Sequence, residues 1–299
     1  MAKYILSAFS DEAATDLAGQ IAALKAAGIT CMEPRTINGK NIMEQTDEEL
    51  DAIKAALDEA GIGLSSIGSP IGKYDITADF EPQFAAFEHA CAIAKKLGTP
   101  RIRLFSFFIP EGEAPEKYRD EVVARMRCFQ RYAEENGVIL CHENEAKIYG
   151  ECPALVKDIL DAVPGLRAIW DAANYVLTDC NPVEGYEACA NKIEYIHIKD
   201  AVAADNGFIV PAGDGDGHIK EILLRHHSAT DAAIYLTLEP HLNDFVGYGT
   251  IDDRALAGKG QSFKDNNESF AFGAAALKSL LCEAGFSESE IGVFTYSAK

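Results

Sequence analysis

"YRDEVVARMRCFQRYAEENGVILCHENE" (Tyr118–Glu145) holds one complete step of the fold. Its first part spaces apolar residues as a helix does and stops at Gly137, a residue suited to the left-handed turn that ends a helix. "VILC" then starts a strand. That strand runs straight into His142, Glu143, Asn144 and Glu145, groups that bind metals or move protons.

The same step recurs along the chain. "TDLAGQIAALKAAG", "TDEELDAIKAALDEAG" and "FEPQFAAFEHACAIAKKLG" read as helices ending at Gly28, Gly61 and Gly98. In the second, Thr46 as N-cap and Glu49 three residues on form a capping box. Strand-like runs precede or follow them: Lys3–Phe9, Ile29–Arg35, Gly63–Ser69, Arg101–Phe108, Val138–Glu145, Leu166–Ala172, Ile193–Asp200 and Ala233–Leu242. Eight β/α units in a chain of 299 residues predict an α/β fold, a single (β/α)8 TIM barrel spanning 1–299. An open doubly wound sheet is the alternative. Its G-x-G-x-x-G signature after the first strand is absent, because that strand leads into "SDEAATD". The glycine-rich loop Ala212–Gly217 and the polar insertion Val246–Ser269 are expected at the active face.

The net charge of -20 repels phosphate backbones and anionic membranes, so neither a nucleic acid nor a membrane is the expected partner. No apolar run approaches the ~20 residues of a membrane span. "MAKYILSAFSDEA" has no secretory cleavage pattern. The cysteines are scattered without a CxxC pair, and read as reduced core thiols of a cytoplasmic protein.

Working residues of a TIM barrel sit at the C-terminal strand ends. Strands five to eight carry Glu143, Asp171, His197 and Glu239 there, at similar depth from the start of each apolar run. Alternation of side chains along a strand lets all four meet at one point. Three carboxylates converging without a cation would repel one another. One divalent metal ion (Mn2+, Mg2+, Co2+ or Zn2+) resolves this, and the lack of thiolates argues against a closed structural zinc site. Strand parity puts His142 and Asn144 on the opposite face from Glu143. Glu145 shares its parity but lies further out, near the substrate mouth. Glu145 and Asp200 both read by default as solvated loop charges.

With "HENE", "WDAANY" (Trp170–Tyr175), "YIHIKD" (Tyr195–Asp200), "PAGDGDG" (Pro211–Gly217) and "LEPHL" (Leu238–Leu242) in this order, the chain resembles the xylose-isomerase-like TIM barrels. That superfamily holds sugar and sugar-phosphate isomerases and epimerases, and also endonuclease IV. The resemblance implies Glu143, Asp171, His197 and Glu239 as metal ligands. It implies Glu143 and Glu239 as the acid/base pair of a metal-dependent isomerase or epimerase of a sugar or sugar phosphate, moving a proton through a cis-enediolate. An inosose-type dehydratase and a non-catalytic sugar-binding relative are the other functions it admits. A homo-oligomer follows only by analogy.

Two departures from the family pattern matter. Asn174 stands where many ketose 3-epimerases and endonuclease IV have a His. The few histidines here do not suffice for endonuclease IV's three-metal cluster, and His218 reads as the surface start of a helix. For substrate contact the candidates are Lys199, Asn174, Glu145, His241, Glu33 and Arg35. Glu33 and Arg35 are expected to pair with each other. Trp170 is expected to point into the core, away from the site.

Overall fold

Side-chain caps and glycines set the helix limits. In α1 (Leu17–Ala27) Asp16 accepts from the Gly19 amide, and in α2 (Asp47–Ala60) Thr46 and Glu49 form the capping box. Gly28 and Gly61 close these helices at φ 62° and 69°, a region other residues enter only with strain. The other main helices are α3 (Phe80–Leu97), α4 (Arg119–Glu135), α5 (Pro153–Ala162), α6 (Pro182–Cys189), α7 (Ile219–Ala229) and α8 (Asn266–Glu283). The computed structural model describes residues 3–245 and 261–297. Most of the insertion after strand eight, 246–260, lies outside the described residues.

The barrel strands are β1 (Lys3–Ala8), β2 (Cys31–Met32), β3 (Gly63–Leu64), β4 (Arg101–Leu104), β5 (Ile139–Glu143), β6 (Arg167–Asp171), β7 (Ile193–Ile198) and β8 (Ala233–Leu238). Parallel pairing runs β3–β2–β1–β8–β7–β6–β5–β4. The ring closes where Ile67, just past β3, bridges Ile102 on β4. The Ile67 amide donates to Arg101 O, and the Arg103 amide to Ile67 O. This is the expected (β/α)8 barrel. Strands two and three are shorter than the apolar runs suggested, since those runs leave the ladder early for polar strand ends. The sequence reading also missed an antiparallel hairpin, β9 (Phe286–Glu290) and β10 (Val293–Tyr296), whose second strand pairs with the start of β1.

Alternation sorts the side chains into two cores. Trp170, Ile196, Ile198, Leu236 and Leu238 face outward and pack with the helices. Cys141, Ile169 and Tyr195 form a separate cluster with Ile139 and Tyr235, on the opposite strand faces. These fill the barrel lumen beneath Glu143, Asp171 and His197. Trp170 is fully buried, away from the site as expected, and its Nε1 donates to Pro182 O. The cysteines are unpaired, and Cys282 is exposed rather than in the core.

Candidate metal centre

Glu143 and Asp171 end β5 and β6, His197 precedes the last residue of β7, and Glu239 follows β8. Cross-strand register pairs Asp171 with His197, and His197 with Thr237. Glu143 pairs with Ile169, the stagger that tilted barrel strands require. All four side chains are buried, and one ligand atom from each lies within 4.8 Å of the others. Neighbours of opposite parity hold the scaffold. His142 Nε2 lies 3.0 Å from Ser106 Oγ. Asn144 clasps Asp171, accepting from its amide at 3.0 Å and donating to its carbonyl at 2.9 Å.

His197 is the hub. Its Nδ1 lies 2.9 Å from Glu143 and 3.6 Å from Glu239, and its Nε2 lies 3.3 Å from Glu33. Burial would favour neutral imidazole, but Glu143 and Glu33 raise its pKa to about 10. Burial would raise the Glu143 carboxyl, yet His197 and Arg103 hold it at about 2. Arg103 Nη1 donates to Glu143 at 3.2 Å. Burial would likewise raise Glu239, but Lys199, His241 and Arg35 keep it well below the usual carboxylate range. Asp171 goes the other way: burial lifts it to about 6 against the pull of Lys199.

A divalent ion fits this donor set. Asp171 Oδ2 is buried and has no hydrogen-bond partner among the described residues, although the Lys199 ammonium lies 3.1 Å away. With Nε2 held by Glu33, His197 offers Nδ1 to the cluster. Carboxylate oxygens with one imidazole suit Mg2+, Mn2+, Co2+ or Zn2+. A second group, Glu12, Glu239 and His241, is equally close-set. There the Arg35 guanidinium already neutralises the acids, at 3.3 Å from Glu12 and 2.9 Å from Glu239.

Most of the other expected residues converge here. Lys199 lies 3.1 Å from Asp171 and 3.4 Å from Glu239. Asn174 sits on a one-turn helix capped by Asp171, and its Nδ2 donates to Asn144 O at 2.8 Å and to Glu143 at 3.5 Å. His241 Nε2 lies 3.2 Å from Glu239. Glu145 stands apart at the rim, 3.0 Å from Lys73. His218 is on the exposed start of α7.

Two expectations fail. Glu33 and Arg35 do not pair with each other. Glu33 points into the lumen beneath His197 and accepts from Tyr195 Oη at 2.8 Å, while Arg35 reaches Asp11, Glu12 and Glu239. Nor is Asp200 a solvated loop charge. It is buried, and its carboxylate accepts from the amides of Ala201, Gly213, Gly215 and Gly217. Residues missed by sequence reasoning are Arg103, Asp11 and Glu12. The signals were present: an arginine of inward parity in an apolar strand must find a buried acid, and "SDE" ends strand one as "HENE" ends strand five.

The family model described as xylose isomerase-like TIM barrel matches residues 21–244. A probable 3-DHS dehydratase, AsbF, from Bacillus anthracis superposes with TM-score 0.67 at 16% identity, over 93% of this chain and 98% of its own. An L-ribulose 3-epimerase gives TM-score 0.68 at 18% identity, over 95% and 97%. The IOLI protein, solved with a zinc atom, gives 0.71 at 14% identity, over 94% and 99%. At such identities the superpositions establish the fold alone. No curated protein matches the sequence significantly.

Proposed function

The chain belongs to the xylose isomerase-like TIM barrel family, and from that premise we propose a single-domain, metal-dependent isomerase or epimerase of a sugar or sugar phosphate. One observation carries this reading: two buried glutamates flank His197 from β5 and β8, each braced by its own arginine. Glu143, Asp171, His197 and Glu239 would hold a divalent ion, which would supply Lewis-acid polarisation of substrate oxygens.

The remaining work falls to side chains. Both glutamates are held ionised, so either can take a proton from the carbon beside the carbonyl. Approaching from different strands, they can act on opposite faces of that carbon. Lys199, an ammonium 3.4 Å from Glu239, favours its ionised form, so Glu239 starts as a base and becomes an acid only by carrying a proton taken from the substrate. Asn174, with Nδ2 3.5 Å from Glu143, orients that carboxylate, in the place where many ketose 3-epimerases have a His. Burial keeps bulk water from the enediolate.

The test incubates metal-loaded protein with ketoses and ketose phosphates in D2O. Deuterium should appear at one substrate carbon, with a new epimer or aldose by NMR. Glu143→Gln and Glu239→Gln should each abolish the exchange. Exchange surviving in both variants overturns the two-glutamate reading, and loss of 18 mass units from substrate, about one water, would mark a dehydratase instead.

A further inference from the structure

Beside the cluster opens a cavity of about 230 Å3 whose lining includes Arg35, Asn41, Gly68, Lys73 and Arg103, and no acidic residue among the described residues. We propose that this cavity is an oxyanion subsite, taking a carboxylate or phosphate group of the substrate. The proposal rests on the reading above that the neighbouring cluster holds a divalent ion.

Three cations converge here, Arg35 from beyond β2, Lys73 from the loop after β3 and Arg103 from within β4, and each is braced on a ring. The Arg35 guanidinium lies 4.3 Å from the Phe9 centroid, and Arg103 lies 4.9 Å from the same ring. Arg103 and Lys73 also share Phe105, at 5.1 Å and 4.5 Å. Such stacking fixes the charges before any ligand arrives. Donors are left over. Lys73 gives one hydrogen bond, to Glu145, from an ammonium that has three to give. Arg103 donates to Glu143, Ser69 O and Gly68 O, leaving part of its five-donor fork.

The acids that balance the two arginines are shared with the cluster. Arg103 is balanced by Glu143, and Arg35 in part by Glu239. An ion drawn to those glutamates weakens their hold on the guanidiniums. The freed positive charge then faces the cavity, where an oxyanion restores balance. Metal and anion should therefore bind cooperatively, and reciprocally.

The test uses full-length protein and equilibrium binding, so turnover is not required. Titrations with inorganic phosphate, a ketose phosphate, a sugar acid and the matching neutral ketose are run with Mn2+ and with EDTA. The charged ligands should bind about tenfold or more tighter than the neutral sugar, and only with Mn2+. Lys73→Gln should remove most of that gain while Mn2+ affinity is kept, and Lys73→Arg should recover part of it. Asn41→Ala should weaken binding less, and serves if the lysine variants do not fold. Preference for the ketose phosphate or for the sugar acid identifies the natural group. Equal affinity for charged and neutral ligands, or anion binding untouched by Lys73→Gln, overturns the proposal; the latter would mean direct capture by the ion. Anion binding without any deuterium exchange would keep the subsite and sink the isomerase reading.

Discussion

Glu33 Oε2 stands 3.3 Å from His197 Nε2, while Tyr195 donates its hydroxyl to the other oxygen of the same carboxylate. Glu33 and His197 are both fully buried, so no water can replace either partner. A ligating imidazole held through its far nitrogen keeps its ring plane and its near nitrogen fixed. Glu33→Gln should leave the barrel folded but lower divalent-metal affinity about 10- to 100-fold. Mn2+ titration followed by electron paramagnetic resonance measures this. Unchanged affinity would show that Glu33 does not set the His197 orientation.

Metal removal should cost stability as well as activity. Without an ion, Glu143, Asp171 and Glu239 share Lys199 and the His197 imidazolium, and the Asp171 carboxyl is forced up to about 6. Saturating metal at about 1,000 times its Kd would add about 4 kcal/mol. Thermal melts in EDTA should therefore fall below melts in Mn2+ or Mg2+. Asp171→Asn should lose most of the metal-dependent difference. A melting temperature indifferent to both ions would mean that Lys199, Arg103, Arg35 and the His197 imidazolium already neutralise the cluster.

The barrel and the convergence of four ligand-type side chains were legible because both follow from periodicity. Each helix–glycine–strand step announces itself locally, and inward parity with equal depth singles out Glu143, Asp171, His197 and Glu239. Partner choice was not legible. Glu33 and Arg35 are two residues apart and opposite in charge, so local pairing looked natural. In the structure Glu33 turns to Tyr195 and His197, from β7, and Arg35 to Asp11, Glu12 and Glu239, from the ends of β1 and β8. Such long-range choices depend on barrel closure, which no local window contains. The C-terminal hairpin was missed for a related reason: "FSESE" has a polar, exposed strand pattern that only its antiparallel partner explains.

Asp200 should prove a structural keystone of the active face. Its carboxylate gathers the amides of Ala201, Gly213, Gly215 and Gly217. A Cβ at position 215 would lie 2.4 Å from Asp200 Oδ1, so glycine is required for this approach. Asp200→Ala strands several amides at once and should destabilise by about 3 kcal/mol. Chemical denaturation measures the loss, and hydrogen exchange should quicken first at residues 211–217. Gly215→Ala should reproduce the effect, because it pushes the carboxylate out of its nest. Normal stability in both variants would reduce Asp200 to an ordinary loop charge.

The acid limb of stability should be set partly by His226, far from the metal cluster. It is buried on α7, with Nδ1 3.4 Å from the Tyr186 hydroxyl and Nε2 without a hydrogen-bond partner among the described residues. Burial lowers its pKa from 6.5 to about 4. Between those values the unfolded chain binds a proton that the folded chain refuses. His226 therefore costs nothing above pH 6.5 and increasingly opposes folding as pH falls toward about 4, by about 3 kcal/mol at most. Urea midpoints measured in EDTA at pH 7 and pH 4.5, about two points across the window, should show stability falling with pH. His226→Phe should flatten that slope while leaving the neutral-pH midpoint within about 1.5 kcal/mol. An unchanged slope would mean that His226 already meets water, and that its neutral form is not imposed by burial.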